Sequence, residues 1–350
     1  KSICQISQNE LCLGTDGKGT KIFNIPKQLI TDYPFDNNYL DSGTSKVHSV
    51  LKDNAGNLWI AIYQKGVMMI PAQPNSFKYI GYKSINKNII GSNCITSLCR
   101  DHEGILWIGT DNDGIYGITT ELKQKVHYAP HDSPSSVPST VFGLYEDSEH
   151  NLWFGSYTNG LGRLDKKTGQ CSYLQNLTDK NGNRIQRVYD LVEDQDKRLW
   201  IATMGAGLFY YDLKTGQSVY DPKFNAATKK YKWISCLLYA GDNHLYVGTY
   251  DGIRCIDLST DDFKTEEILS RHIIHSLYED PQGNIWIGNS EGLAEWNPQT
   301  QQLKTYTTAH GLSSNAVYAI KGDGQDNLWI STNAGMSRFN LNTHTFSNFY

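Results

Sequence analysis

One aromatic position recurs from end to end of the chain, and its spacing constrains the fold more than any other feature. Trp59, Trp107, Trp153, Trp200, Tyr246, Trp286 and Trp329 follow one another at intervals of 48, 46, 47, 46, 40 and 43 residues, and Cys12 stands 47 before Trp59. Residues 95–116 show the unit clearly: an apolar strand, an Asp-led turn, a strand carrying Trp, a Gly-closed turn and a third strand. A β-branched residue opens each first strand (Val47, Ile95, Val141, Val188, Ile234, Ile274, Val317), and an apolar one follows three places later (Val50, Leu98, Leu144, Leu191, Leu237, Leu277, Ile320). Six places after the strand start stands Asp53, Asp101, Asp147, Asp194, Asp280 or Asp323, with Ala240 as the exception. Eight copies of such a unit, with no helical period, imply a self-similar array of small sheets.

Composition agrees. With 22 Tyr, 11 Phe, 8 Trp and 31 Gly in 350 residues, and with short apolar runs bounded by Asp, Asn and Gly, the chain reads as all-β. A net charge of −4 with Lys and Arg dispersed offers no basic stripe, so nucleic acid is not an expected partner. No apolar run approaches the 18 residues of a membrane-spanning helix. No signal peptide is visible and the chain opens in the strand-like Ser2–Ile6, so we read it as a segment of a longer protein.

The motif copies, near 1–46, 47–94, 95–140, 141–187, 188–233, 234–273, 274–316 and 317–350, each hold three strands and a weaker fourth rich in Phe and Tyr. Phe77, Tyr79, Tyr306, Phe346 and Phe349 mark the fourth strand. In the first copy Ile3 and Ile6 fill the strand positions around a shortened hairpin at Gln8-Asn9-Glu10. The Asp of each first turn accepts backbone N–H groups two residues on, and Gly supplies the positive φ that closes it. The repeated Trp is expected in the core, worth about 4–5 kcal/mol each at most. The apolar residues at strand positions 0 and +3 are expected to face opposite sides, packing each sheet on both faces. Four-stranded antiparallel units repeated radially give a single β-propeller domain over 1–350, with a 7- or 8-bladed ring.

The pattern D-x-x-G-N-L-W-I-G-T-x-x-G-L resembles the two-component regulator propeller repeat, found in extracytoplasmic sensors of hybrid two-component systems of gut Bacteroidetes. Residues 147–156 and 323–332 match it closely, whereas the first copy and the one around Tyr246 depart from it. The resemblance covers essentially the whole chain. It implies a periplasmic sensor domain of an inner-membrane-anchored chain that recognises an oligosaccharide and signals to a histidine kinase elsewhere in the chain. A second propeller and a β-sandwich of the same chain, and a homodimer of the full sensor, are the partners it implies. It carries over no catalytic motif, no cofactor and no metal site.

Ligand contacts must then come from loops that differ between copies. Topology places the turns between second and third strands on one rim, together with the residues just before each first strand. Tyr63, Asp111, Asn112, Tyr157 and Tyr250 fall in the former group, and Asn93, Trp233 and His272 in the latter. Aromatic rings for C–H faces and planar polar groups for hydroxyls suit a sugar. The alternatives are a carbohydrate-active propeller enzyme, glycosidase or lyase, and a protein-docking scaffold. Enzyme motifs are weak here. Gly288-Asn289-Ser290-Glu291-Gly292 matches G-x-S-x-G, but in a strand-to-strand turn rather than the strand-to-helix turn a nucleophile elbow needs. His272 and His275 are a poor chelate on opposite faces of a strand. The seven Cys show no C-x-x-C pair and are expected to act as small buried hydrophobes.

Overall fold

The computed structural model describes residues 1–33, 44–72, 80–81, 89–92, 94–179, 181–220, 233–260 and 263–349. They form an all-β structure of the propeller type, with one 3₁₀ turn at Thr308–His310. Among the described residues, seven sheets have four strands and one has three, every one in simple sequential order, and neighbouring strands are antiparallel. The first strands are Ser2–Ser7, Val47–Lys52, Ile95–Arg100, Val141–Glu146, Val188–Glu193, Ile234–Ala240, Ile274–Glu279 and Val317–Gly322. Seven of these eight begin at the β-branched residue that the repeat marks. Phe77 and Tyr79, expected in a fourth strand of the second copy, lie outside the described residues.

Two compact units divide the chain, Lys1–Asn93 and Cys94–Tyr350. The first holds two sheets and the second holds six. Within the second unit the core sits between successive sheets. Trp107 packs with Val141, Leu152 and Phe154 of the following sheet, and Trp153 with Val188, Leu199 and Ile201. Trp200, Tyr246 and Trp286 repeat the relationship against the sheets that follow them. All five aromatics are at most 3% exposed. Trp59 is 39% exposed and Trp329 is only half-buried, so the expectation of a core Trp fails at these two positions. Each stands in the last sheet of its unit, where no following sheet of that unit covers it.

A second expectation is corrected by a bulge. Ile95 pairs with Thr110 but Ser97 pairs with Gly109, so one extra residue enters the first strand. The same shift recurs at Val47/Ser49, Val188/Asp190, Ile234/Cys236, Ile274/Ser276 and Val317/Ala319. Because the pleat has a period of two, an extra residue returns positions 0 and +3 to the same face rather than opposite faces. Val188 with Leu191, Ile234 with Leu237, and Val317 with Ile320 accordingly share one apolar cluster each.

The Gly two residues after the Trp or Tyr position, within the same strand, has a steric role. A Cβ on Gly109 would come within 2.9 Å of Val141 Cγ1, on Gly155 within 2.8 Å of Val188 Cγ1, on Gly248 within 2.8 Å of Ile274 Cγ2, and on Gly288 within 2.7 Å of Val317 Cγ1. At these four junctions the β-branched residue opening the first strand is seated on the bare backbone of the preceding sheet, whereas Ala202 takes the glycine's place before Ile234. Repeat spacing and inter-sheet contact are two sides of one constraint.

Candidate functional site

Backbone hydrogen bonds gather the turns that vary between copies. In four sheets of the second unit, the N–H of the residue opening the turn after the second strand donates to a carbonyl just before the first strand of its own sheet: Asp111 to Cys94 (2.9 Å), Met204 to Arg187 (3.0 Å), Tyr250 to Trp233 (3.2 Å) and Ser290 to Ile273 (3.3 Å). The same turns are tied to the following sheet, Asn112 N–H to the Ser139 carbonyl at 3.0 Å and Arg271 N–H to the Asp251 carbonyl at 3.3 Å. The two groups of segments expected on one rim are therefore adjacent in four of the six sheets of the second unit.

The expected site residues distribute unevenly over it. Tyr157, 43% exposed, lies under the Arg187 guanidinium at 5.1 Å and meets Phe142 edge-on at 5.9 Å. Phe142 in turn lies 5.0 Å from Tyr189. Trp233 and Tyr250, 43% and 45% exposed, meet edge-on at 5.9 Å. Burial, followed by the nearby Tyr250, pushes the Tyr189 hydroxyl above its ordinary pKa. A cleft of about 350 Å³ lies beside them, bordered by Arg184, Gln186, Arg187, Met204 and Trp233. A planar cation stacked on an exposed ring, with more rings alongside, gives flat apolar faces interleaved with directional donors.

Asp111 and His272 serve the scaffold as well. The Asp111 carboxylate accepts the Thr140 hydroxyl at 2.7 Å, and Asn112 holds a left-handed turn at φ 84°. His272 faces Glu291 at 3.2 Å and shares a hydrogen bond with the Ser270 carbonyl at 2.7 Å. Tyr63 belongs to the first unit, where it stacks on His48 at 5.2 Å. Asn93 lies outside the described residues. Two participants escaped the sequence reading. Phe142 and Tyr189 occupy the second position of their first strands, and only the bulge there turns that position toward the rim turns. An aromatic at this position in successive copies was the available signal.

The Gly288–Gly292 motif closes between the strands Ile285–Asn289 and Leu293–Asn297, a strand-to-strand turn as the repeat demands. Against known families, the sequence profile described as Two component regulator propeller matches residues 89–112, 135–158, 179–205, 268–291 and 311–334. Five of its repeats are thus two component regulator propeller repeats. No curated protein matches it. Among solved structures, this propeller resembles the extracellular domain of the hybrid two component system BT3049 from B. thetaiotaomicron, with 19% identity and a TM-score of 0.64, over 99% of this chain and 56% of that one. The extracellular domain of BT4673 from the same organism gives 20% identity and 0.68, over 100% of this chain and 48% of that one. The propeller thus spans about half the length of these chains. A catalytically inactive virginiamycin B lyase from Staphylococcus aureus is also similar, at 14% identity and 0.55, over 83% and 93% of the two chains. Identities this low establish the shared fold alone. No helix among the described residues is long and apolar enough to cross a membrane.

Proposed function

We propose that this propeller is the ligand-sensing part of a periplasmic regulator, that it binds an oligosaccharide on the rim carrying Tyr157, Arg187, Trp233 and Tyr250, and that it signals to a histidine kinase elsewhere in its chain. The repeat family and the extracellular two component domains that share the fold support the regulatory reading. The observation that carries the ligand class is the run of exposed rings with a stacked guanidinium, Tyr157 under Arg187 beside Phe142, Tyr189 and the Trp233–Tyr250 pair. A pyranose presents C–H faces to such rings and hydroxyls to Arg and amide groups, and the cleft admits it from solvent.

A sensor fits this rim better than a glycosidase. Glycoside hydrolysis needs two carboxyl groups facing across the bond, about 5–10 Å apart. Here the Asp111 carboxylate is held by Thr140 and that of Glu291 by His272. Shallow sugar sites desolvate hydroxyls at a cost, so affinity is expected in the micromolar range, about −8 kcal/mol. Occupancy acts by favouring one pairing of two sensor chains, which requires different affinities for the two arrangements. Glycan-array screening of the full ectodomain, followed by calorimetry, tests the reading, with a Tyr157→Ala, Tyr250→Ala double variant as control. Saturable binding lost in the variant at unchanged melting temperature supports it. Binding of no oligosaccharide, or full binding by the variant, overturns it.

A further inference from the structure

At the other end of the third and fourth sheets, three metal-ligating side chains converge from separate segments. His102 lies in the first turn of the third sheet, Glu146 ends the first strand of the fourth, and His150 sits in the fourth sheet's first turn at φ 67°. Nδ1 of His102 is 2.7 Å from Oε1 of Glu146, and the His102 backbone N–H donates to Oε2 of the same carboxylate at 2.7 Å. The two imidazoles stack with centroids 3.7 Å apart. One ligand atom from each of the three residues lies within 4.8 Å of the others. Beside them opens a cavity of about 630 Å³, bordered by Trp107, Tyr128 and Lys166.

The next junction shows what this place accommodates. Between the fourth and fifth sheets, Glu193 accepts the Ser148 N–H and hydroxyl, both at 2.6 Å, as Glu146 accepts from His102. Lys197 stands three residues after its turn Asp, as His150 does, with a matching φ of 69°. Its ammonium lies 3.4 Å from Glu193 and bonds the Ser148 hydroxyl. A cation therefore lies between the two turns at that junction. At the third–fourth junction the residues corresponding to Ser148 and Lys197 are both histidine.

We propose that His102, Glu146 and His150 bind a divalent transition-metal ion, zinc by ligand chemistry, at the place that corresponds to the Lys197 ammonium. Two imidazoles and one carboxylate are a zinc donor set, leaving a fourth position for water, and ligand distances of about 2.0–2.2 Å require the exposed rings to turn out of their stack. The ion would join the turns of two successive sheets. Lys166, whose ammonium contacts Glu146 and lies 3.1 Å from Asp101, is the resident competitor and would keep Asp101 when the metal takes Glu146. The ligands come from positions 44 and 4 residues apart in different segments, so no sequence motif announces them.

Calorimetry of the whole chain with zinc chloride tests this, alongside cobalt(II) absorption as a report of coordination. One saturable zinc per chain is expected. His102→Ala and His150→Ala should each weaken it roughly tenfold or more, by analogy with losses in other metal sites, and Lys166→Met should tighten it. The metal-free melting temperature of His150→Ala separates lost binding from lost folding. Absence of saturable binding, or binding that survives His150→Ala in a folded variant, overturns the proposal.

Discussion

Trp153 Nε1 donates to Oδ2 of Asp147 at 2.7 Å, across six residues, with the indole 3% and the carboxylate residue 3% exposed. The other carboxylate oxygen accepts the N–H groups of Glu149 and Asn151 at 2.9 and 2.8 Å. One side chain thus shapes the turn and orients the ring that fills the next inter-sheet core. The same bond joins Asp53 to Trp59, Asp101 to Trp107, Asp194 to Trp200 and Asp280 to Trp286 at 2.8 Å each.

This relationship makes the turn Asp costlier to remove than a simple turn residue. Asp147→Ala leaves a buried indole N–H and two turn amides without acceptors, and should destabilise by about 2–4 kcal/mol. Asp53→Ala, whose indole partner is 39% exposed, should cost much less, since water replaces the carboxylate there. Denaturant melting of the two variants gives the comparison, and equal losses would show that the buried indole bond contributes little.

The seating of a first strand on a glycine of the preceding sheet, as Ile274 on Gly248, predicts a contrast between two substitutions. Gly248→Ala places a methyl 2.8 Å from Ile274 Cγ2 and closer still to Cys236 Sγ, and should cost about 1–3 kcal/mol through overpacking. Gly205→Ala meets nothing within 4 Å but must hold φ 101°, a backbone strain of about 1–2 kcal/mol. Thermal unfolding of both, with far-ultraviolet spectra to verify the sheet, distinguishes packing from strain.

Asp190 gives a pH signature. Burial raises its carboxyl to about 6 against hydrogen bonds from the Leu237 and Leu191 amides, which favour the charged form. A carboxyl raised on folding binds more protons in the native state between about pH 4 and 6, so its contribution to stability falls as pH rises through that window. Asp190→Asn retains an acceptor for Leu237 and should flatten the dependence, stabilising the protein by up to about 3 kcal/mol at pH 7.5. Denaturant midpoints measured from pH 4 to 8 check it. A wild-type-minus-Asp190→Asn difference in stability that fails to fall across the window would contradict the assignment.

Arg187 separates ligand recognition from folding. Its guanidinium lies over the exposed Tyr157 ring, a contact worth about 0.5–1 kcal/mol to stability at such a site. Arg187→Ala should therefore barely move the melting temperature while weakening oligosaccharide binding about tenfold, read by calorimetry. Unchanged affinity would remove Arg187 from the rim site.

Most of the scaffold was legible in the linear pattern because its determinants are local. Seven first strands start where a β-branched residue marks them, and the turn Asp and closing Gly act within six residues of each other, so one repeat carries the instructions for one sheet. Adjacency of the rim segments followed as well, since antiparallel order alone dictates which turns share an end. What three-dimensional packing decided lies between repeats. The bulge that puts Val188 and Leu191 on one face, the exposure of Trp59 and Trp329 at the last sheet of each unit, the turning of Phe142 and Tyr189 toward Tyr157, and the meeting of His102 with Glu146 all depend on partners in another strand or another sheet. A sequence period specifies what each copy can form. Contacts across 44 or more residues depend on how two copies are seated against each other, and that seating is set by which side chains are small enough to let backbones approach.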